Sequence, residues 1–170
     1  TFFEGGTRVP FFMQLPGVIA PGSQFTAPVS HFDIFATSAA LAGVQPPADR
    51  VIDGVNLIPF ARGEQGGRPH EQMFWRSGAY QVARSGDWKL QVNETQDKVW
   101  LFNLQDDPTE QHNLVDAEPA RVKELLAQLA EFNSQQKAPL WPSLVEAPIL
   151  IDKPLNRPQT IDDEFIYWSN

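Results

Sequence analysis

Hydrophobic and polar residues alternate through the middle of the chain in a pattern typical of antiparallel strands. Residues 80–84 and 88–92 alternate with a period of two, and a Ser-Gly-Asp turn at 85–87 joins them, which predicts a β-hairpin. The short apolar runs at residues 73–75 and 99–102 each predict a further strand. We therefore expect a small antiparallel sheet in this part of the chain.

A second pattern, with helical spacing, follows the sheet. Over residues 118–136 apolar side chains recur at i, i+3, i+4 and i+7, which predicts an amphipathic helix. The stripe consists of Val122, Leu125, Leu126, Leu129 and Phe132. The simplest arrangement is that this helix covers one face of the sheet. For this part of the chain the patterns predict an α+β fold in which the amphipathic helix packs on the antiparallel sheet.

The patterns before and after this core are less regular. The apolar run at residues 9–15 predicts a short buried strand. Ser30 followed by Asp33 resembles a capping box at a helix start, and Gly43 is placed to end that helix in a left-handed conformation. Residues 139–170 are proline-rich and then acidic and aromatic, so we expect an irregular tail that wraps a larger body.

Charge and hydrophobicity exclude several classes of partner. The 170 residues carry a formal net charge of −8, which argues against binding DNA or RNA through phosphate contacts and against docking on an anionic membrane. No apolar run approaches the roughly 20 residues needed to cross a bilayer. We therefore expect neither a nucleic acid nor a membrane as partner.

The candidate chemistry is limited by residue types as well as by their spacing. The chain has no cysteine, which excludes disulfides, thiolate zinc sites and a cysteine nucleophile within these residues. Its three histidines lack metal-ligand spacing, and the acidic runs at 106–107 and 162–164 lack the alternating ligands of a calcium loop. The sequence predicts no metal site and no catalytic residue in this chain.

Two short sequences are more specific. Residues 1–10 read TFFEGGTRVP and residues 107–114 read DPTEQHNL. They resemble the end of the K-x-T-x-x-E-G-G-x-R-x-P motif and the D-P-x-E-x-x-N-L motif of the sulfatase family, the arylsulfatase-like sulfate ester hydrolases. Residues 30–43 resemble that family's S-x-x-D-x-x-x-T-x-x-x-x-A-G helix, and residues 82–90, VARSGDWKL, resemble its R-x-G-x-W-K-L element. The order and spacing of these elements make the resemblance specific over residues 1–132.

The resemblance implies a fold and a division of the chain. Sulfatases have a large α/β domain followed by a smaller C-terminal subdomain, a four-stranded antiparallel sheet with a helix. Residues 1–62 would close the large domain, residues 63–138 would form the subdomain, and residues 139–170 would be the proline-rich wrapping tail. The family also makes a periplasmic or secreted location an expectation.

The resemblance also implies a chemistry that this chain does not carry. In the family a hydrated formylglycine, made from Cys or Ser in a C/S-x-P-x-R motif, attacks sulfur, and a divalent cation, usually calcium, holds it with the sulfate. No such motif occurs here. We expect the nucleophile and metal ligands upstream, and the lysine that contacts sulfate two positions before Thr1. Whether the substrate is an aryl or a carbohydrate sulfate stays open.

Two functions from different classes follow. In the first, the chain would be the C-terminal portion of a sulfatase, inactive alone, with the upstream catalytic part of the same enzyme as its partner. Calcium and formylglycine would then belong to the intact enzyme. Alternatively, the chain is a self-standing, non-catalytic binding or structural module.

The residues of the E-G-G motif have two interpretations that can both hold. Glu4, Gly5, Gly6 and Arg8 form either a structural turn with local hydrogen bonds or a support that aims the preceding lysine at the sulfate. Supporting residues fix the geometry of the groups that touch the ligand.

Three further residues are candidates for a substrate pocket. His31 lies at the predicted helix start, where backbone N–H groups can bind an anion, or it is simply exposed. Trp75 and Arg76 end a predicted strand. They either line a pocket that accepts an anion or pack on each other through a cation–π contact.

Overall fold

The chain folds into two compact units, which are described separately. The computed structural model describes residues 1–138, 140–141, 143–154 and 156–169. One unit comprises Thr1–Val9 and Gln72–Asn170, and the other comprises Pro10–Glu71. The E-G-G segment therefore packs with the C-terminal sheet. The division expected from the resemblance had placed it together with the residues up to 62.

The first unit is built on a four-stranded antiparallel sheet. Its strands are β1 (Gln72–Ser77), β2 (Tyr80–Ser85), β3 (Trp88–Asn93) and β4 (Lys98–Asn103), in the order β1-β2-β3-β4. Gly86, with a φ of +60°, supplies the left-handed position of the β2–β3 turn. The predicted antiparallel sheet is confirmed.

One face of the sheet is covered by the predicted amphipathic helix. This helix, Pro119–Ser134, begins with a proline. Proline is tolerated there because the N–H groups of the first helical turn have no acceptor within the helix, so its lack of an N–H costs no hydrogen bond. Its Leu125 and Leu129 pack in a cluster with Ala83, Leu90 and Leu101 of the sheet. The amphipathic helix packed on a sheet is confirmed, although the buried stripe is narrower than predicted because Leu126 is 38% exposed.

The opposite face of the sheet carries a second apolar cluster. Its buried members are Tyr80, Val82, Trp100, Phe102, Leu104 and Ile166. Phe2 and Phe3 pack against this cluster as partly buried side chains. The N-terminal segment therefore covers the face that lies away from the helix.

The expected irregular tail contains a strand pair. Strands β5 (Glu146–Leu150) and β6 (Phe165–Ser169) form a two-stranded antiparallel sheet, and Ile166 anchors it in the second apolar cluster. Pro148 is tolerated because each strand of a pair has a free edge. Four residues of the predicted tail lie outside the described residues: Pro139, Pro142, Leu155 and Asn170.

The second unit, Pro10–Glu71, contains the helices Asp33–Leu41 and Ile58–Ala61. The first helix ends at Leu41, and Gly43, which follows the capping residue Ala42, has the predicted left-handed conformation with a φ of +66°. The strand predicted for residues 9–15 is wrong: these residues have no regular secondary structure, and Phe12 is 91% exposed. Apolarity alone does not make a strand where no second strand pairs with it.

A buried carboxylate organises this second unit. Asp33 is fully buried and accepts hydrogen bonds from the backbone N–H groups of Ser30 (2.7 Å) and Val55 (2.8 Å). His70 Nε2 lies 2.8 Å from Asp33 Oδ1. Asp33 thereby ties the helix start to two loops, which explains the capping-box resemblance: the carboxylate reaches back to the N–H of Ser30.

Candidate functional site

The E-G-G motif folds as a single helical turn. In α1 (Glu4–Thr7) the N–H groups of Gly6 and Thr7 donate to Phe3 O at 2.8 and 3.0 Å. A Cβ atom on Gly6 would lie 2.3 Å from Thr1 O, whereas one on Gly5 would meet nothing within 4 Å. The second glycine is therefore required by the close approach of the turn to the backbone of Thr1.

Glu4 points into the protein and not toward Arg8. Its Oε1 lies 2.8 Å from Lys89 Nζ, and its Oε2 lies 3.8 Å from Arg84 Nη1. Arg8 is exposed, and its backbone N–H donates to Glu4 O at 2.8 Å. The motif glutamate thus makes long-range ion pairs to the sheet in addition to local backbone hydrogen bonds.

The second carboxylate of the site comes from the D-P-x-E motif. Glu110 Oε1 lies 3.1 Å from Lys89 Nζ and accepts a hydrogen bond from Gln91 Nε2 at 2.9 Å. Its Oε2 accepts the backbone N–H of Glu4 at 2.5 Å. The backbone of Glu110 adopts the left-handed conformation, with a φ of +56°. Two carboxylates therefore share one lysine in a water-excluded layer.

The network continues to the start of the chain through Tyr80. The Tyr80 hydroxyl donates to Gln91 Oε1 and accepts the backbone N–H of Phe2 at 3.2 Å, and the Phe2 ring stacks on the Tyr80 ring with centroids 5.1 Å apart. We name the set Glu4, Tyr80, Arg84, Lys89, Gln91 and Glu110 the anchor network. It contains two acids and two bases, so its formal charges balance.

Burial sets the protonation tendencies inside the anchor network. Burial raises the pKa of the Glu110 carboxyl, and the Lys89 charge and the Glu4 N–H offset this only in part. Burial also raises the pKa of the Tyr80 hydroxyl; the hydrogen bond from Phe2 opposes the shift and the Glu110 charge adds to it. The phenol therefore stays a neutral donor to Gln91 at physiological pH.

The three predicted pocket residues are placed at different positions. His31 is exposed, with its ring centroid 5.7 Å from that of Phe32. Trp75 is half-buried against the second apolar cluster. Arg76 lies on the helix side of the sheet, where its Nη1 is 3.4 Å from Asn133 Oδ1. Trp75 and Arg76 thus point to opposite faces of β1, and their role in a substrate pocket stays a prediction.

The anchor network is the part of the site that sequence patterns missed. Lys89 and Gln91 alternate with apolar residues on β3, and such alternation usually marks a solvated face. Glu110 belongs to a motif whose residue types a simple turn explains. The available signal was the co-occurrence of E-G-G, W-K-L and D-P-x-E in one chain.

The described residues contain no group of three or more His, Cys, Asp or Glu side chains that could hold a metal ion. Within the same residues, every helix is too short or too polar to cross a membrane.

Comparison with known proteins identifies the family. Residues 1–138 match the family model described as N-sulphoglucosamine sulphohydrolase, C-terminal. The chain belongs to this family of sulfatase C-terminal domains. The chain is 40% identical over 106 residues to steryl-sulfatase of Rattus norvegicus, covering 62% of this chain and 18% of that protein. It is 38% identical over 119 residues to choline-sulfatase of Rhizobium meliloti (strain 1021), covering 68% of this chain and 23% of that protein.

Solved structures agree with this assignment. The crystal structure of Ps i-CgsB matches this chain with a TM-score of 0.63 at 26% identity, over 74% of this chain and 29% of that one. A putative sulfatase from Bacteroides thetaiotaomicron VPI-5482 shares the fold, with a TM-score of 0.52 at 24% identity, over 61% of this chain and 24% of that one. The predicted family and fold class are confirmed. The chain spans about a fifth of the length of these two curated relatives, 18% and 23%.

Proposed function

We propose that this chain is the C-terminal portion of a sulfuric ester hydrolase whose nucleophile and cation ligands lie upstream in the same protein. We further propose that the 170-residue chain is inactive alone. The observation that carries the proposal is the family match over residues 1–138, combined with coverage of only 18% of a steryl-sulfatase. The 170 residues also lack the C/S-x-P-x-R motif from which the family makes its formylglycine.

The cofactors of the family do not fit the described residues. Metal use is a general property of sulfatases, yet no cluster of suitable ligands occurs in the described part of this chain. Calcium and formylglycine are therefore assigned to the upstream part. The contribution of this domain is structural support, and the E-G-G turn is the segment where that support meets the chemistry.

The position of the E-G-G turn favours this assignment. In the sulfatase motif a sulfate-contacting lysine would stand two positions before Thr1. The turn packs against Thr1 at Gly6, and Glu4 ties it to the sheet. We therefore assign Glu4 and Gly6, with their neighbours Gly5 and Arg8, to holding the chain next to the expected lysine.

Exposed apolar side chains on the second unit support a large upstream partner. The helix Asp33–Leu41 buries its aspartate and exposes Ile34, Phe35 and Leu41, the reverse of an ordinary surface helix. Phe12 and Val51 are 91% and 86% exposed. Such surface needs another layer of structure to cover it, and the family's large α/β domain is the occupant we propose.

The proposal is tested by assaying two proteins side by side: the purified 170-residue chain, and the full-length protein that carries this chain with the proposed upstream part. Both are incubated with calcium and 4-nitrophenyl sulfate, and then with a sulfated carbohydrate. We expect the full-length protein to hydrolyse at least one of them and the 170-residue chain to hydrolyse neither. Turnover by the chain, or an inert full-length protein, would contradict the proposal.

Amide hydrogen exchange on the isolated chain separates this proposal from the alternative of a self-standing module. Fast exchange across Pro10–Glu71 beside slow exchange in the sheet is expected for a domain without its partner. Slow exchange throughout a monomeric chain would favour the self-standing module.

A further inference from the structure

We propose that Lys89 and Glu110 are positioning residues that fix the E-G-G turn, and through it the backbone at Thr1, for the sulfate-binding group that would precede it. The inference rests on the proposed function for the identity of that group. The attachment of the turn to the sheet can be tested independently of activity.

The first step is that Lys89 and Glu110 hold one residue of the turn at two points. Lys89 Nζ lies 2.8 Å from the Glu4 carboxylate, and Glu110 Oε2 accepts the Glu4 backbone N–H at 2.5 Å. The 3.1 Å pair between Lys89 and Glu110 joins the two attachments. A residue held by both its side chain and its backbone has little freedom to rotate or shift.

The second step carries this constraint to Thr1. Gly6 lies against Thr1 O so closely that a Cβ would be 2.3 Å from it. Glu110 also reaches Phe2 through Gln91 and Tyr80, because the Tyr80 hydroxyl accepts the Phe2 N–H at 3.2 Å. The turn and the residues before it are thus fixed from two sides, which sets the direction in which the chain leaves Thr1.

The third step excludes a direct role in the chemistry. The side chains of Lys89 and Glu110 are 0% and 1% exposed, so neither can touch a substrate. Buried charges need partners at short range, since an unpaired one is strongly destabilising. The Glu4 carboxylate pairs with the buried Lys89 only when the turn sits in one place, so the network selects that place.

The experiment compares Glu110→Gln with Leu125→Ala in the full-length protein. Glutamine keeps the size of Glu110 and removes its charge. Leu125 lies in the cluster on the other face of the sheet, so its replacement destabilises the same unit without touching the anchor network. Removing the residue that supports a metal ligand costs about 10- to 100-fold in metal affinity or activity, and we take the same scale for a supported sulfate-binding group. We expect a loss of that size in kcat/KM per folded molecule for Glu110→Gln, and little loss for Leu125→Ala.

Two further measurements keep the inference falsifiable. In the isolated chain, Glu110→Gln should speed amide exchange over residues 2–7 and leave the helix Pro119–Ser134 unchanged. Lys89→Met should behave like Glu110→Gln, and the double variant should lose about as much as either single one because the Lys89–Glu110 pair couples the two attachments of Glu4.

The outcomes separate this inference from the proposed function. Equal activity losses in Glu110→Gln and Leu125→Ala, or unchanged exchange at residues 2–7, would overturn the positioning role. If the wild-type full-length protein hydrolyses no sulfate ester, the proposed function fails, while faster exchange at residues 2–7 still supports the anchoring of the turn.

Discussion

Replacing Leu125 by alanine should lower the free energy of unfolding by about 2–5 kcal/mol. Leu125 is 0% exposed and lies between the helix and the sheet residues Ala83, Leu90 and Leu101. The lost side-chain carbons account for about 2 kcal/mol of transfer free energy, at roughly 0.8 kcal/mol per buried methylene. The remaining cavity adds to this value, because the hydrogen-bonded strands on the other side of the cluster cannot follow the shortened side chain.

The neighbouring leucine provides a matched control. Leu126 is 38% exposed, so Leu126→Ala should cost about 1 kcal/mol or less, and the higher helix propensity of alanine offsets part of that loss. Both variants are compared with wild type in urea melts followed by tryptophan fluorescence, to which Trp75, Trp88 and Trp100 of the sheet contribute. A loss below about 0.5 kcal/mol for Leu125→Ala, or equal losses for the two variants, would refute the packing argument.

Two further predictions concern the E-G-G turn and its anchor. Gly6→Ala should destabilise the first unit by about 1–3 kcal/mol, because its Cβ would meet Thr1 O at 2.3 Å. Gly5→Ala should be neutral or stabilising because its Cβ would meet nothing within 4 Å. Thermal melts of the two variants test this difference, and equal melting temperatures would contradict it. Burial holds the pKa of Tyr80 above its ordinary value of 10.0, so the unfolded state loses this proton first and stability should fall as the pH rises above 10. Tyr80→Phe should remove that part of the decline in melts between pH 9 and 11, and an unchanged slope would contradict it.

The sheet and its helix were predictable because local patterns and tertiary structure agree there. The alternation of Trp88, Leu90 and Val92 in β3 and the stripe of Leu125 and Leu129 each specify one buried face, and these two faces meet. The second unit was not predictable in the same way. Residues 9–15 carry the apolarity of a strand, but pairing depends on residues distant in sequence, and in the described structure nothing pairs with them.

The strand pair of the tail and the burial of the anchor network were not predicted, for related reasons. Strand β6 is five residues of Phe, Ile, Tyr, Trp and Ser, a good strand composition, yet the prolines between it and β5 favoured an irregular tail. In β3 the alternation was recognised, but Lys89 and Gln91 occupy a face that the N-terminal segment covers. Periodicity reports that a residue is polar, and it does not report whether another part of the chain will bury it.

The energetics of the anchor network favour a role in geometry over a role in stability. Moving two carboxylates and a lysine out of water costs several kcal/mol per ion before pairing, and apolar replacements of buried ion pairs often leave stability unchanged or improved. The same sheet face already holds a cluster of aromatic and aliphatic side chains, so apolar residues in place of the ion pairs could also have covered it. Charges, however, have directional partners: Lys89 is satisfied only with Glu4 and Glu110 within about hydrogen-bonding range, at 2.8 and 3.1 Å. An apolar contact would still form if the turn shifted by about an ångström, whereas the hydrogen-bonded ion pairs of this network would not. A shift of that size is enough to impair a group that must be positioned for binding or catalysis.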